Sequence, residues 1–468
     1  MLVATPAAEG MAMGDDTRTH DTQHAFLVAW GWYAEHIGLV PALDTVSLHQ
    51  KTYTHAPHTK VLQFLVATLS GLEYLQDISL AAHPLDRDAA VATAWGQPAW
   101  ADYTGVSRSL RALTWDETRA IAQVLQQVEQ PLIEAELDLL RAQRQRIRYD
   151  GDLTGLPVSN SSRTYPNAAF GHMDDEIRLG YQAAVVSLES PTYGRLWLSI
   201  AHHPGDTVSC TQAEALVLAA EARTGLRPLR RTDLLEQRIA AYERQLETIH
   251  QRLLTQREAV RALSERCVEA EHQVEEREGL VAALEVLYQS QQRPERPASR
   301  LALARQRLRA AQQRGQCRRD AVRAAEGRLA KTQTRWDEQQ QELRRLQDRL
   351  VCFEQDNATN TAPIEAEFRL DGGFGGYENV ALLIEMGYEG YTKAYNQQVV
   401  TFLKDQTDAE TPWTRVGANA EMTAWSKLQL KRCPYPLDVG LERFYTGRTR
   451  KHSRSEERRV GKECRSRW

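Results

Sequence analysis

The chain has 468 residues, 42% of them hydrophobic, and a formal net charge of −4, enough for several domains and at least one sizeable buried core. With no global basic excess, any nucleic-acid binding has to come from local patches. The six cysteines lie far apart without a CxxC pair, which speaks against a zinc site or a disulfide framework, and no apolar run nears the roughly 20 residues that span a bilayer. The expected setting is a reducing cytoplasm with no membrane partner.

Residues 1–23 carry Asp15-Asp16 but no basic flank ahead of an apolar core, so they are expected to be a disordered tail, not a signal peptide. Residues 24–146 read as an all-α domain, opened by Phe26, Leu27, Trp30 and Trp32. Within it, Tyr103 to Leu113 has the form of the second helix of a helix-turn-helix. There Ser107, Arg108 and Arg111 are candidates to meet DNA phosphates or bases. The same pattern suits an ordinary helix pair, and the sequence leaves both open.

At Ile147 the texture changes. Ile147 and Tyr149 alternate with Arg148 as on a half-buried strand, and Asp150 and Asp152 sit two apart, so on an extended chain both carboxylates share a face. Clustered carboxylates suit a divalent metal ion, although Asp150-Gly151-Asp152 is also good turn chemistry. A polar loop is expected from Ser159 to Glu176, then strands at Gly180–Leu188 and Arg195–Ala201 joined by a turn. A helix opened by Thr211-Gln212-Ala213-Glu214 and closed at Gly225 comes next. His202-His203 could contact phosphate, but no third ligand is paired with them, so a structural or solvated role is expected.

Between residues 229 and 358 the sheet pattern gives way to two heptad seams. From Leu235 to Tyr288 apolar residues recur at alternating fours and threes, interrupted at Gln256 and Arg277. Pro294 and Pro297 turn the chain, and Ser299 is placed to cap the second arm. The second seam runs Leu301, Leu308, Gly315, Val322, Leu329, Trp336, Leu343 and Leu350, weakened by Gly315, Arg318 and Gln339. Nearly equal arms of about 80 Å predict an antiparallel coiled-coil hairpin within one chain.

The sheet resumes at Ile364–Asp371, succeeded by Gly372-Gly373-Phe374-Gly375-Gly376, a helix from Tyr377 to Met386 closed by Gly387, and a strand from Tyr388 to Tyr395. The hairpin is therefore read as an insertion into one α/β domain with halves 147–228 and 359–453. An early strand carrying Asp150 and Asp152, and a later one ending on Asp371, supply a pair of acids that a sheet can bring together.

These residues carry a resemblance. Asp152-x-Thr154 after a short apolar strand, and Arg369-x-Asp371-x-Gly373-Phe374 ending another, resemble the first and second acidic motifs of bacterial insertion-sequence transposases of the DDE class. Asn419-Ala420-Glu421-Met422 and the segment up to Phe444-Tyr445 read like the later sheet of such proteins. The likeness covers roughly residues 147–228 and 359–453. It implies an α/β RNase H-like mixed-sheet domain, here interrupted by the hairpin and preceded by the all-α domain. It also implies two Mg²⁺ (or Mn²⁺) ions, cleavage by water at transposon terminal repeats, transfer of the 3′-hydroxyl into target DNA, and a homodimer when bound to DNA. Asp152 maps onto the first acid and Asp371 onto the second, with Asp150 the alternative first acid.

The family's third acid is a Glu on a later helix after Tyr-x-x-Arg. Here Tyr445-x-x-Arg448 places His452 at that position, and Val439 to Tyr445 alternates like a strand. Residues 454–468 turn abruptly basic and resemble a tail seen on translations that run into adaptor DNA, so they are expected to be non-native and the third acid to be missing. A chain without that acid is expected to be inactive. Two other readings stay open: a metal-dependent RNase H-like nuclease without strand transfer, and a non-catalytic coiled-coil organiser of DNA. The organiser would need a GxxxxGK[ST] phosphate loop, which the sequence lacks.

Overall fold

A computed structural model describes residues 21–50, 54–159, 165–173, 176–292, 294, 296, 297, 299–394, 397–444 and 465–467. The tail expected at the N-terminus falls almost wholly outside these. The chain divides into two compact units, 1–143 and 144–468. Among the described residues no helix is long and apolar enough to cross a membrane. Cys210, Cys267, Cys317, Cys352 and Cys433 are free thiols.

The first unit is helical: α1 (Ala25–His36), α2 (Leu39–Asp44), α3 (Pro57–Leu69), α4 (Asp77–Leu80), α5 (Ala89–Ala94), α6 (Tyr103–Ala112) and α7 (Trp115–Ala142). Side chains set the helix starts. Asp88 caps α5, Asp102 caps α6, and Thr114 with Glu117 closes a capping box on α7. The Thr114 and His49 amides hold the Glu117 carboxyl down at about 2, far below its ordinary value. Val66, Ile78, Val91 and Val106 are fully buried, and the Trp95 indole N–H donates to the Leu27 carbonyl at 2.8 Å.

The second unit is built on a mixed sheet. Its strands are β1 (Ile147–Pro157), β2 (Ala169–Met173), β3 (Glu176–Ser190) and β4 (Gly194–Pro204). Then come helix α8 (Ala213–Thr224) and the two long helices α9 (Thr232–Ser290) and α10 (Arg300–Thr359). After them lie β5 (Ala366–Leu370), α11 (Tyr377–Glu385), β6 (Glu389–Lys393), α12 (Gln397–Asp405), β7 (Thr414–Arg415), β8 (Ala420–Leu428), β9 (Leu437–Phe444) and β10 (Arg465–Arg467). The order is β2-β3-β1-β5-β6-β10-β9-β8-β7, with β4 also on β3. β1, β3 and β4 are antiparallel neighbours, whereas β1, β5 and β6 run parallel. Three residues of the basic terminal segment, expected to stand outside the fold, lie in the sheet as β10, between β6 and β9.

The expected polar loop from Ser159 to Glu176 is shorter than its composition suggests. Ala169–Met173 pairs with Glu176–Gly180, so β2 and the first turn of β3 extend the sheet into it. On this ladder Phe170, His172, Glu176, Ile177 and Arg178 are exposed, and Met173 and Gly180 are buried. Under the sheet, Tyr149, Phe368 and Tyr388 form an aromatic cluster with ring centroids 5.6–6.3 Å apart. Leu216, Val217 and Ala220 of α8 and Val380, Ala381 and Leu383 of α11 are buried on their helices' inner faces.

The long helices leave the sheet after α8 and return before β5. Cross-arm contacts run Glu285–Arg305, Glu278–Gln312, Glu271–Arg319 and Arg257–Gln333, so the arms are antiparallel. With 59 and 60 residues they reach about 90 Å, a little beyond the estimate from the seam alone. Leu235, Leu246, Leu253, Leu301, Ala311, Ala325 and Leu346 are buried along the seam, each Leu contributing about 1.5–3 kcal/mol. Ser299 caps α10 by accepting from the Ala302 amide. Gly315 lies across from Val274, which a Cβ there would meet at 3.8 Å.

Where the hairpin leaves the sheet, charges are buried in pairs. Arg230, 1% exposed, bonds Glu221 on α8 and Asp356 on α10, and the Tyr388 hydroxyl donates to the same Glu221 at 2.8 Å. Glu385, fully buried on α11, takes Arg238 from α9 at 2.6 Å, Arg349 from α10 at 3.7 Å and the Tyr435 hydroxyl at 2.9 Å. Both arms are thus tied to the α/β body by ion pairs that solvent does not screen.

Candidate active site

β1 buries Ile147, Tyr149 and Gly151 and turns Arg148, Asp150 and Asp152 to the other face. Asp150-Gly151-Asp152 is therefore strand, not turn. The glycine answers to packing: a Cβ at Gly151 would stand 2.7 Å from Leu370 Cδ2, 3.0 Å from Phe368 Cε1 and 3.3 Å from Leu216 Cδ1. Only a residue without a side chain lets α8 and β5 close on this point of the sheet.

The two acids of β1 meet different surroundings. Asp150 sits in a ladder of charges: Arg369 Nε lies 2.7 Å from its Oδ1, and Arg195 Nη2 lies 3.4 Å from its Oδ2. Arg369 also bonds Glu189, which Arg148 reaches at 3.3 Å, and Arg148 bonds Glu367 at 2.9 Å. Asp152 is exposed beyond the end of this ladder, its Oδ1 accepting the Leu153 amide at 2.7 Å.

Register brings Asp152 to Asp371. The parallel ladder pairs Gly151 with Leu370, and on the other side of β5 it pairs Arg369 with Tyr391. Continuing this register aligns Asp152, in the middle of β1, with Asp371, just past the end of β5, and Lys393, the last residue of β6. Asp371 caps a 3-10 turn, Gly372–Phe374, by accepting the Gly373 amide at 2.9 Å, while fully buried Phe374 anchors the turn. The Thr392 hydroxyl donates to the Asp371 carbonyl at 2.8 Å, which fixes β6 against the same turn.

The electrostatics fit two like charges brought close. The Asp371 carboxyl is pushed above the ordinary carboxylate range, first by loss of solvent and also by the negative charge of Asp152. The Gly373 amide and the Lys393 ammonium pull it back, without cancelling the rise. A divalent cation between the carboxylates would relieve this repulsion, so the pair suits two of a metal's ligands. Among the described residues no group of three or more His, Cys, Asp or Glu is placed to hold a metal. The Tyr445-x-x-Arg448 segment and His452 lie outside those residues.

The other candidates stand apart from this pair. His202 stacks on Tyr181 with ring centroids 4.3 Å apart, and His203 lies opposite Gln182 in the β3–β4 ladder. In the first unit, α6 and α7 are joined by Leu113-Thr114. Arg108 and Arg111 are exposed on α6, with Arg108 folded back onto Thr104, and Ser107 is half-buried. Arg108 and Lys60 line one open cleft of about 630 Å³ with His49, His55 and Asp102.

Lys393 and Thr392 are not evident from sequence as parts of the site. A signal exists nonetheless: a strand parallel to one that ends on Asp371 has its own last residue beside that acid. No known family model matches the chain, and searches of curated proteins and of solved structures return no significant match.

Proposed function

We propose that the second unit is the catalytic body of a DNA transposase of the DDE class, with Asp152 and Asp371 as its first two acids. The observation that carries this reading is that the parallel register sets these acids side by side on adjacent strands, Asp152 within β1 and Asp371 just past the end of β5, beyond an ion-pair ladder that occupies Asp150. The strand order supports an RNase H-like assignment: three antiparallel strands, β4-β3-β1, are continued by the parallel strands β5 and β6. Bound Mg²⁺ or Mn²⁺ supplies activation of the attacking oxygen and stabilisation of the leaving one.

The chain's own residues do the positioning. Asp152 and Asp371 would hold the metal, and the Gly373 amide keeps the Asp371 carboxylate from swinging away. Lys393 completes the row with a positive charge on the side where a phosphate's negative oxygens must sit. DNA carrying transposon terminal repeats is the expected substrate, with the protein acting as a dimer on it and a third acid completing the site.

The test is metal-dependent nicking of duplex DNA bearing the element's terminal repeats, by a form of the protein in which a third acid is present. Asp371→Asn should abolish nicking, and unchanged nicking by that variant would refute the site. Scoring joined as well as cut products separates a transposase from a nuclease that only cuts.

A further inference from the structure

The two flanks of the hairpin are built differently. On one, α10 residues spaced by sevens reach across to α9: Arg305 to Glu285 at 2.8 Å, Gln312 to Glu278 at 3.0 Å, Arg319 to Glu271 at 3.4 Å. Such pairing along the seam is the usual condition of a coiled coil.

The opposite flank of α10 has another row one residue ahead of the seam, Arg300, Arg307, Arg314, Arg328 and Arg335, interrupted once by Ala321. All five are exposed, and among the described residues none forms an ion pair; Arg314 only donates to the Ala310 carbonyl of its own helix. The matching positions of α9, by sevens from Arg252 to Leu287, hold Arg252 and Arg266 and no carboxylate. Seven arginines therefore share this flank without an acid at any of these heptad positions. Over Arg300–Arg335 the row is about 52 Å long with about 10.5 Å per heptad, the length of roughly 15 base pairs.

We propose that this flank is a track for the phosphate backbone of duplex DNA, separate from the acid pair. Five uncompensated like charges in line repel one another, so a row of this kind leaves a coiled coil short of stabilisation until a polyanion neutralises it. A duplex supplies negative charge at regular intervals over the whole length, and guanidinium groups grip phosphate oxygens in pairs. An acidic protein would have to match one sign of charge over the same straight run. The inference stands whether or not the acid pair cuts DNA, since it concerns binding alone.

The test is fluorescence anisotropy of a labelled duplex of arbitrary sequence, about 30 base pairs long, titrated with the full chain at several salt concentrations. The variant carrying Gln at Arg300, Arg307, Arg314, Arg328 and Arg335 should bind at least about 10-fold more weakly at low salt. Its plot of log affinity against log salt should be shallower by about 4, because each phosphate neutralised by the protein adds roughly 0.9 to the slope. Arg305→Gln with Arg319→Gln, on the paired flank, should change the slope by less than half as much. Helicity by circular dichroism should match in all three proteins. Equal affinity and slope in wild type and the five-site variant would overturn the proposal, as would a wild type that ignores duplex and binds poly-glutamate instead.

Discussion

Arg369 holds Asp150 with two nitrogens, Nε 2.7 Å from Oδ1 and Nη2 3.0 Å from Oδ2. The arginine of the Arg-x-Asp-x-Gly-Phe stretch thereby engages one acid of the first strand and leaves Asp152 beside its own Asp371. Asp150→Asn should therefore act on stability, lowering it by about 1 kcal/mol because the pair is only partly shielded. Asp152→Asn should leave urea-melt stability within about 0.5 kcal/mol of wild type. Equal stability losses in the two variants would contradict this division.

Asp371 gives a pH dependence of defined sign. Its folded-state pKa lies above the ordinary value, so folding favours the protonated acid. That contribution is present below the unfolded pKa, near 3.8, and is lost as pH rises through the folded value. At neutral pH the ionised group is a liability, and Asp371→Asn should leave the melting temperature unchanged or raise it. At pH below 3.8 the gain should vanish. Melting curves of both proteins across this range check the direction.

Gly151→Ala should cost about 1–3 kcal/mol, since its methyl would press on Leu370 at 2.7 Å and on Phe368 at 3.0 Å. By contrast, Gly327→Ala on α10 meets nothing within 4 Å and should stabilise the hairpin by about 1 kcal/mol. Chemical denaturation of the pair of variants separates a packing role from a turn role at Gly151.

The hairpin should be removable only above its root. Excising residues 251–339 and joining the ends with a short Gly/Ser linker keeps Leu235, Arg238, Arg349 and Phe353 in place, and the α/β body should fold. Cutting back to 235–353 strips Glu385 of both arginines and should destroy the body. Arg230→Ala alone, which leaves Glu221 buried with only Tyr388, should cost about 3–5 kcal/mol. Far-UV circular dichroism and thermal melts measure each case.

The hairpin is legible in the sequence because a heptad seam is a local periodic signal: Ser299, Pro294 and the run from Leu301 by sevens need no partner to be read. Asp371 is legible for a similar reason, a clean alternation ending on an acid before five residues rich in glycine. Gly151 is not, because its role lies in Leu216 and Leu370, far along the chain. The same holds for Arg230, whose partner Glu221 lies 9 residues before it on α8 and whose partner Asp356 lies 126 residues after it at the far end of α10, and for Glu385. In sequence these residues look like any solvated charge. β2 is hidden because it is only five residues long, carries Gly171 in its middle and exposes Phe170, so no clean alternation marks it.

Calorimetric titration of the chain with Mn²⁺ tests the acid pair most directly. Wild type and Asp150→Asn should bind the ion with affinities within a few-fold of each other, while Asp152→Asn and Asp371→Asn should each weaken binding by at least about 10-fold. Undiminished binding in Asp152→Asn and Asp371→Asn, or no binding by wild type, would contradict a metal site at Asp152 and Asp371.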